Sequence, residues 1–240
     1  MKKIFYLTVA LIIIVMSSCT FPGMISVRPE GAYISKDIQP ESFESISVSS
    51  GFELVVTQDT VQSLSIETYE NVFKHLEVQI VDNTLMISPK DGVNFFGEPK
   101  VKIHITTPVL KELSLSGGSR AELINGYKGE QVEVSLSGGS RVYGMTNVKF
   151  LGVDLSGGSR SEINGMVDYF SLTSSGGSKS RHLDMIARKC SASISGGGSL
   201  EISVSDSLDV DCSGGSRVNY KGSPVITSQL SGGSDLEKVD

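Results

Sequence analysis

The feature that most constrains this chain is a tetrapeptide that returns almost on schedule. Ser-Gly-Gly-Ser begins at Ser116, Ser137, Ser156, Ser175, Ser213 and Ser231, with the variant Ser-Gly-Gly-Gly-Ser at Ser195. The steps between starts are 21, 19, 19, 20, 18 and 18 residues. Gly/Ser tracts are often only flexible linkers, but linkers do not keep columns, and this tract does. One residue before the starts stand Leu115, Leu136, Leu155, Ser174, Ile194, Cys212 and Leu230; three before stand Leu113, Val134, Val153, Leu172, Ala192, Val210 and Ser228. Five after stand Ala121, Val142, Ser161, Ser180, Leu200, Val218 and Leu236. Alternate apolar positions on both sides of a glycine corner describe two short strands, each with one face turned inward.

A period of about 19 residues with one glycine corner is one rung of a solenoid. The expected fold is therefore all-β, a right-handed parallel β-helix in which equal offsets stack about 4.8 Å apart into side-chain ladders. The corner glycines supply positive φ without a Cβ penalty. Asn125-Gly126 and Asn164-Gly165 are expected to turn the other end of the rung, since Asn-Gly favours consecutive left-handed residues. Before the repeat, Ile46/Val48, Phe52/Leu54/Val56, Leu64/Ile66, Val78/Ile80, Leu85/Ile87 and Val101/Ile103/Ile105 alternate as short strands, with a helical turn expected near Val72–His75. Whether these build broader rungs or a separate cap is left open by the pattern.

The N-terminus speaks to compartment. Lys2 and Lys3 precede an uncharged apolar run, Ile4 to Met16, which has the length of a signal-peptide core and is short for a bilayer span. It ends in Met16-Ser17-Ser18-Cys19, which resembles the lipobox of bacterial lipoproteins and implies a diacylglycerol on Cys19 and a membrane contact through that lipid. Thr20 to Pro40 carries scattered Pro and Gly with little periodicity and reads as a tether. The expected organisation is a signal peptide over 1–18, Cys19 and tether over 19–41, and a single β-helix domain over 42–240. Within that domain, 42–110 form irregular N-terminal rungs and 111–235 the Ser-Gly-Gly rungs. The expected location is the cell envelope, as an outer-membrane lipoprotein. Surface and periplasmic faces both stay open, because no acidic residue follows Cys19 within Thr20–Met24.

The order of motifs from Phe43-Glu-Ser-Ile-Ser-Val-Ser-Ser-Gly-Phe-Glu-Leu54, through Asn83-Thr-Leu-Met-Ile87 and Val101-Lys-Ile-His-Ile-Thr-Thr-Pro-Val-Leu-Lys-Glu-Leu113, into the Ser-Gly-Gly series resembles the putative auto-transporter adhesins with a head GIN domain. These are secreted or lipid-anchored proteins of Bacteroidetes. The resemblance covers nearly all of 42–235 and implies a β-helix without known catalytic residues and a role in cell adhesion.

The residues themselves offer little chemistry. A net charge of −6 leaves no electrostatic footprint for nucleic acid. Asp154, Asp168, Asp184, Asp209 and Asp211 fall at different offsets, so no calcium column is expected. His75, His104 and His182 share no metal-ligand spacing, and His182, seven after Ser175, is expected to face the core or rim. No catalytic residue, metal or cofactor is therefore assigned. Cys190 and Cys212 fall in different columns, about 13 Å apart along the strand direction, and are expected to be buried free thiols beyond disulfide reach. One column stands out. Four residues after the starts come Arg120, Arg141, Arg160, Lys179, Ser199, Arg217 and Asp235. Like charges about 4.8 Å apart repel by roughly 1 kcal/mol in water. Glu122 and Glu162, two residues on, are expected to relieve the repulsion, either alone or together with an anionic ligand such as a uronic or sulfated glycan.

Three functions follow: an adhesin or interaction module that contacts a glycan or protein through the solenoid surface, a self-associating homo-oligomeric scaffold of the envelope, or a degenerate polysaccharide-binding or lyase-like protein.

Overall fold

The computed structural model describes residues 25–240. The expected signal peptide, Cys19 and the first residues of the expected tether lie outside the described residues. Strand dominates: the chain forms a parallel β-solenoid of about seven turns with a period near 19 residues.

The rungs of the repeat are long bent strands, β11 (Arg120–Leu136), β12 (Arg141–Leu155), β13 (Arg160–Ser174), β14 (Lys179–Ile194) and β15 (Ser199–Cys212). Each starts on one face of the solenoid, bends, and ends on the other face at the next glycine corner. Each pairs in parallel with the next, so Leu136, Leu155 and Ser174 stack in register, as do Phe170, Cys190 and Leu208. The inward columns are buried from Leu113 and Leu115 to Val210 and Cys212. Cys190 and Cys212 are buried free thiols in separate columns. Burial, with the charge of Asp209 adding to it, pushes the Cys190 thiol up to about 12.

The Ser-Gly-Gly-Ser signature has a specific mechanical reason. The last serine of each corner donates its hydroxyl back to the carbonyl of the first: Ser119 to Ser116, Ser140 to Ser137 and Ser159 to Ser156 at 2.8, 2.8 and 2.7 Å, with Ser178, Ser216 and Ser234 doing the same. The first glycine of every corner has positive φ, whereas the second does so only at Gly118, Gly139 and Gly233. Successive corners also nest backbone on backbone: a Cβ on Gly138 would lie 3.2 Å from the Gly117 nitrogen. An earlier corner is hidden in the sequence. Val48 pairs with Leu115 and Glu53 with Arg120, which sets Ser49-Ser50-Gly51-Phe52 beside the first Ser-Gly-Gly-Ser. There Ser50, at φ 70°, does what glycine does elsewhere.

At the other end of the rung the two Asn-Gly pairs differ. Asn125 and Gly126 are both left-handed (φ 64° and 72°), as expected, and lie in a register shift between β11 and β12. At the second pair only Gly165 is positive (φ 118°), and β13 continues through it as strand. Here glycine is needed for a close approach, because a Cβ would run into the Thr146 carbonyl.

The N-terminal part combines rungs and a cap. β3 (Ser45–Val48) and β4 (Glu53–Gln58) extend the solenoid in parallel beyond β10 (Glu112–Leu115) and β11. Outside them lie β7 (Thr84–Pro89) on β3 and β9 (Lys102–Thr107) on β4, again parallel. Rung order therefore departs from chain order: the later β7–β9 rung sits outside the earlier β3–β4 rung, and the chain crosses back to reach β10. Antiparallel strands then close this end, β6 (Leu76–Val81) on β7 and β5 (Ser63–Tyr69) on β9. A short helix, α1 (Glu70–Phe73), the only one among the described residues, joins them.

The expected tether needs correction. β1 (Ile25–Val27) pairs with β8 (Val93–Phe95), and β2 (Tyr33–Ile38) adds antiparallel to β5. The folded body thus includes residues before 42. The free edge of β5 accepts any extended segment with backbone groups to pair, and β2 fills it while leaving most of its side chains exposed, so no strong apolar alternation marks it.

Candidate functional site

The basic column is assembled as the spacing predicts. Arg120, Arg141, Arg160, Lys179, Ser199, Arg217 and Asp235 occupy one continuous register on the face that follows the corners. They point outward because their neighbours, Ala121, Val142, Ser161, Ser180, Leu200 and Val218, point in and are buried. Strand alternation leaves no other choice.

The structure also shows what offsets this charge. The column continues beyond the repeat as Glu53, Lys102 and Glu67, alternating in sign. Arg120 pairs with Glu53 at 3.4 Å, a partner in the hidden earlier rung that the repeat signature does not mark. Glu162 plays its expected part, 3.7 Å from Arg160 and 3.5 Å from Arg181. Glu122 does not: it makes no ion pair among the described residues, because Glu53 lies directly beside Arg120 in the adjacent strand. Arg141 and Lys179 have no carboxylate within 4.0 Å among the described residues, and both are exposed. The ladder therefore presents Arg141 and Lys179 as uncompensated cations flanking the partly neutralised Arg160, and Arg217, two rungs beyond Lys179 in the same register, is likewise exposed with no carboxylate within 4.0 Å among the described residues.

The face that precedes the corners is of another kind. Ser114, Ser135, Asp154, Thr173, Ser193 and Asp211 form one outward column. The first four of these, with the corner serines Ser116, Ser137, Ser156 and Ser175, line a shallow groove of about 390 Å³. Farther back along the strands Phe150 and Tyr169 are in register and stacked, with centroids 5.7 Å apart and planes 8° apart. The aromatic pair escaped the sequence reading because it occurs in only two rungs and so makes no column.

Cys190, Cys212 and His182 are held away from solvent. His182 is fully buried against Phe170, with Nδ1 2.7 Å from the Ile163 carbonyl and Nε2 2.8 Å from the Ser180 hydroxyl. Burial pushes its pKa down to about 4, so the ring is neutral at pH 7, a satisfied core residue in a column with Ile202. Among the described residues no three His, Cys, Asp or Glu side chains are placed to hold a metal ion.

A family model described as putative auto-transporter adhesin, head GIN domain, matches residues 42–224. No curated protein matches the chain. Among solved structures, a putative adhesin from Bacteroides fragilis superposes with a TM-score of 0.82 at 25% identity, covering 89% of this chain and 100% of that one. A putative adhesin from Parabacteroides merdae gives 0.73 at 20% identity over 90% and 99%. A putative lipid binding protein from Parabacteroides distasonis gives 0.72 at 21% identity over 90% and 100%. The latter two likenesses establish the shared fold.

Proposed function

Since the chain belongs to the putative auto-transporter adhesin, head GIN domain family, we propose that it is a non-catalytic contact module of the cell envelope. It is held to the membrane through a lipid on Cys19 and engages an acidic polysaccharide along its basic ladder. The observation that carries the ligand class is the pair of exposed, unpaired cations Arg141 and Lys179, held two rungs apart in one register with Arg160 between them. A rigid row of cations at strand spacing of about 4.8 Å suits a polymer bearing repeated carboxylates or sulfates better than a single small anion. The paired strands already order the backbone beneath these cations, so the ordering cost on binding falls on the side chains alone.

The test is binding of the intact protein to polygalacturonate and to heparin, with dextran as the neutral control. Wild type is expected to bind an acidic polymer with an affinity that falls as salt rises. Arg141→Ser combined with Lys179→Ser is expected to weaken binding at least tenfold. Equal binding by wild type and the double variant, or none by either, overturns the ladder as the contact surface.

A further inference from the structure

The two ends of the solenoid are finished differently. At the N-terminal end the last parallel strands are covered by β5 and β6, and the outer strand β2 carries the exposed charges Lys36 and Asp37. At the other end β16 (Arg217–Gly222), β17 (Val225–Leu230) and β18 (Asp235–Lys238) complete the last turns, with β17 laid on β15 and β18 on β16. No described strand stacks on β17 or β18 from the far side.

β17 is the strand this leaves open. Ile226, Ser228 and Leu230 continue the columns of Leu208, Val210 and Cys212, which are buried, yet Ile226 is 39% exposed and Leu230 42%. Exposed strand edges are ordinarily blunted by charge or proline, but Val225-Ile-Thr-Ser-Gln-Leu230 carries neither. The backbone adds a second observation. Ser231 donates its N–H to the Cys212 carbonyl, so alternation along the strand turns the N–H and C=O groups of Ile226, Ser228 and Leu230 toward the empty side.

From this geometry we infer that β17 is the interface for a second copy of this chain, joined antiparallel about a two-fold axis at Ser228. The register follows from the residues. An even offset is required for inward side chains to face inward side chains, and centring on Ser228 sets Ile226 opposite Leu230 of the other copy. The same register makes Ile226, Ser228 and Leu230 hydrogen-bonded pair positions, satisfying the open N–H and C=O groups. A contact using the same patch on both partners closes as a dimer, and the N-terminal end finishes in other strands, β2 and β6, so it offers no copy of this patch. The dimer forms independently of any ligand on the basic ladder.

Cross-linking at the axis tests this. Hydrogen-bonded antiparallel pairs have Cα atoms about 5.5 Å apart, within disulfide range. The full-length Ser228→Cys variant, oxidised with copper-phenanthroline, is expected to run largely as a covalent dimer on a non-reducing gel. Thr173→Cys, on an exposed face away from the end, and wild type should stay monomeric. Ser228→Pro, which removes an N–H that bonds nothing within the chain, is expected to abolish cross-linking between Thr227→Cys and Gln229→Cys copies, which this register sets directly opposite each other, while leaving the unfolding midpoint unchanged. A Ser228→Cys thiol that reacts readily with maleimide yet forms no dimer overturns the inference, as does equal cross-linking from Thr173→Cys.

Discussion

At the scale of single residues, the core of this solenoid is less uniform than its columns suggest. Ser161, Ser180 and His182 interrupt otherwise aliphatic ladders and are all fully buried. His182 and Ser180 satisfy each other, whereas the hydroxyl of Ser161 has no hydrogen-bond partner. The histidine makes stability depend on pH. Its folded pKa of about 4 lies below the ordinary 6.5, so between these values the unfolded chain binds a proton that the folded one does not. The contribution is fully present above pH 6.5, is lost as pH falls toward 4, and amounts to at most about 3 kcal/mol. His182→Ile, matching Ile163 and Ile202 in the neighbouring rungs, is expected to unfold with a much flatter dependence between pH 7 and pH 4. Urea midpoints across that range measure it, and a slope equal to wild type would mean that other groups carry the acid sensitivity.

At the scale of the element, the corner is the unit that repeats. Glycine makes the turn possible, and the closing serine holds it through one short hydrogen bond to its own first carbonyl. Ser140→Ala removes such a donor from a buried corner whose hydroxyl-to-carbonyl distance is 2.8 Å. The expected cost is about 1 kcal/mol, read as a lower urea midpoint at unchanged slope. Ser199→Ala is the matched control, because Ser199 stands one position later in the outward column and Gly198 occupies the closing place in that corner. A control that loses as much as Ser140→Ala would remove the special role of the closing serine.

At the scale of the molecule, stability is a sum of rungs and of contacts between adjacent rungs. Leu155 is 3% exposed and lies between Leu136 and Ser174. Leu155→Asp buries an unpaired charge there, at an expected cost of ~4 kcal/mol or more. Because contacts run only to nearest neighbours, amide exchange should accelerate first in β11, β12 and β13 and least in β7 and β9, across the solenoid's N-terminal end. Uniform acceleration would show that the solenoid unfolds as one unit, and unchanged protection would contradict the register.

What the sequence by itself determined is everything with a period. The glycine corners, the inward and outward columns, the separation of Cys190 from Cys212 and the alignment of Arg120, Arg141, Arg160 and Lys179 all follow from a repeat that fixes neighbours by counting. The N-terminal strands were legible one by one, since Ile46, Leu54, Ile66, Leu85 and Ile103 alternate as half-buried strands do. Their partners were not, because an apolar alternation looks the same in parallel and antiparallel pairs. Only the folded molecule decided that β7 and β9 stack outside β3 and β4, that β5 and β6 run antiparallel as a cap, and that residues from Ile25 onward join the sheets. The site divides the same way. Its register was countable, but the loss of charge at Arg120 depends on Glu53, which lies 67 residues away in a corner where Ser50 stands in for glycine. Pairing across a sheet is a choice among open backbone edges, and those edges exist only once the chain has folded.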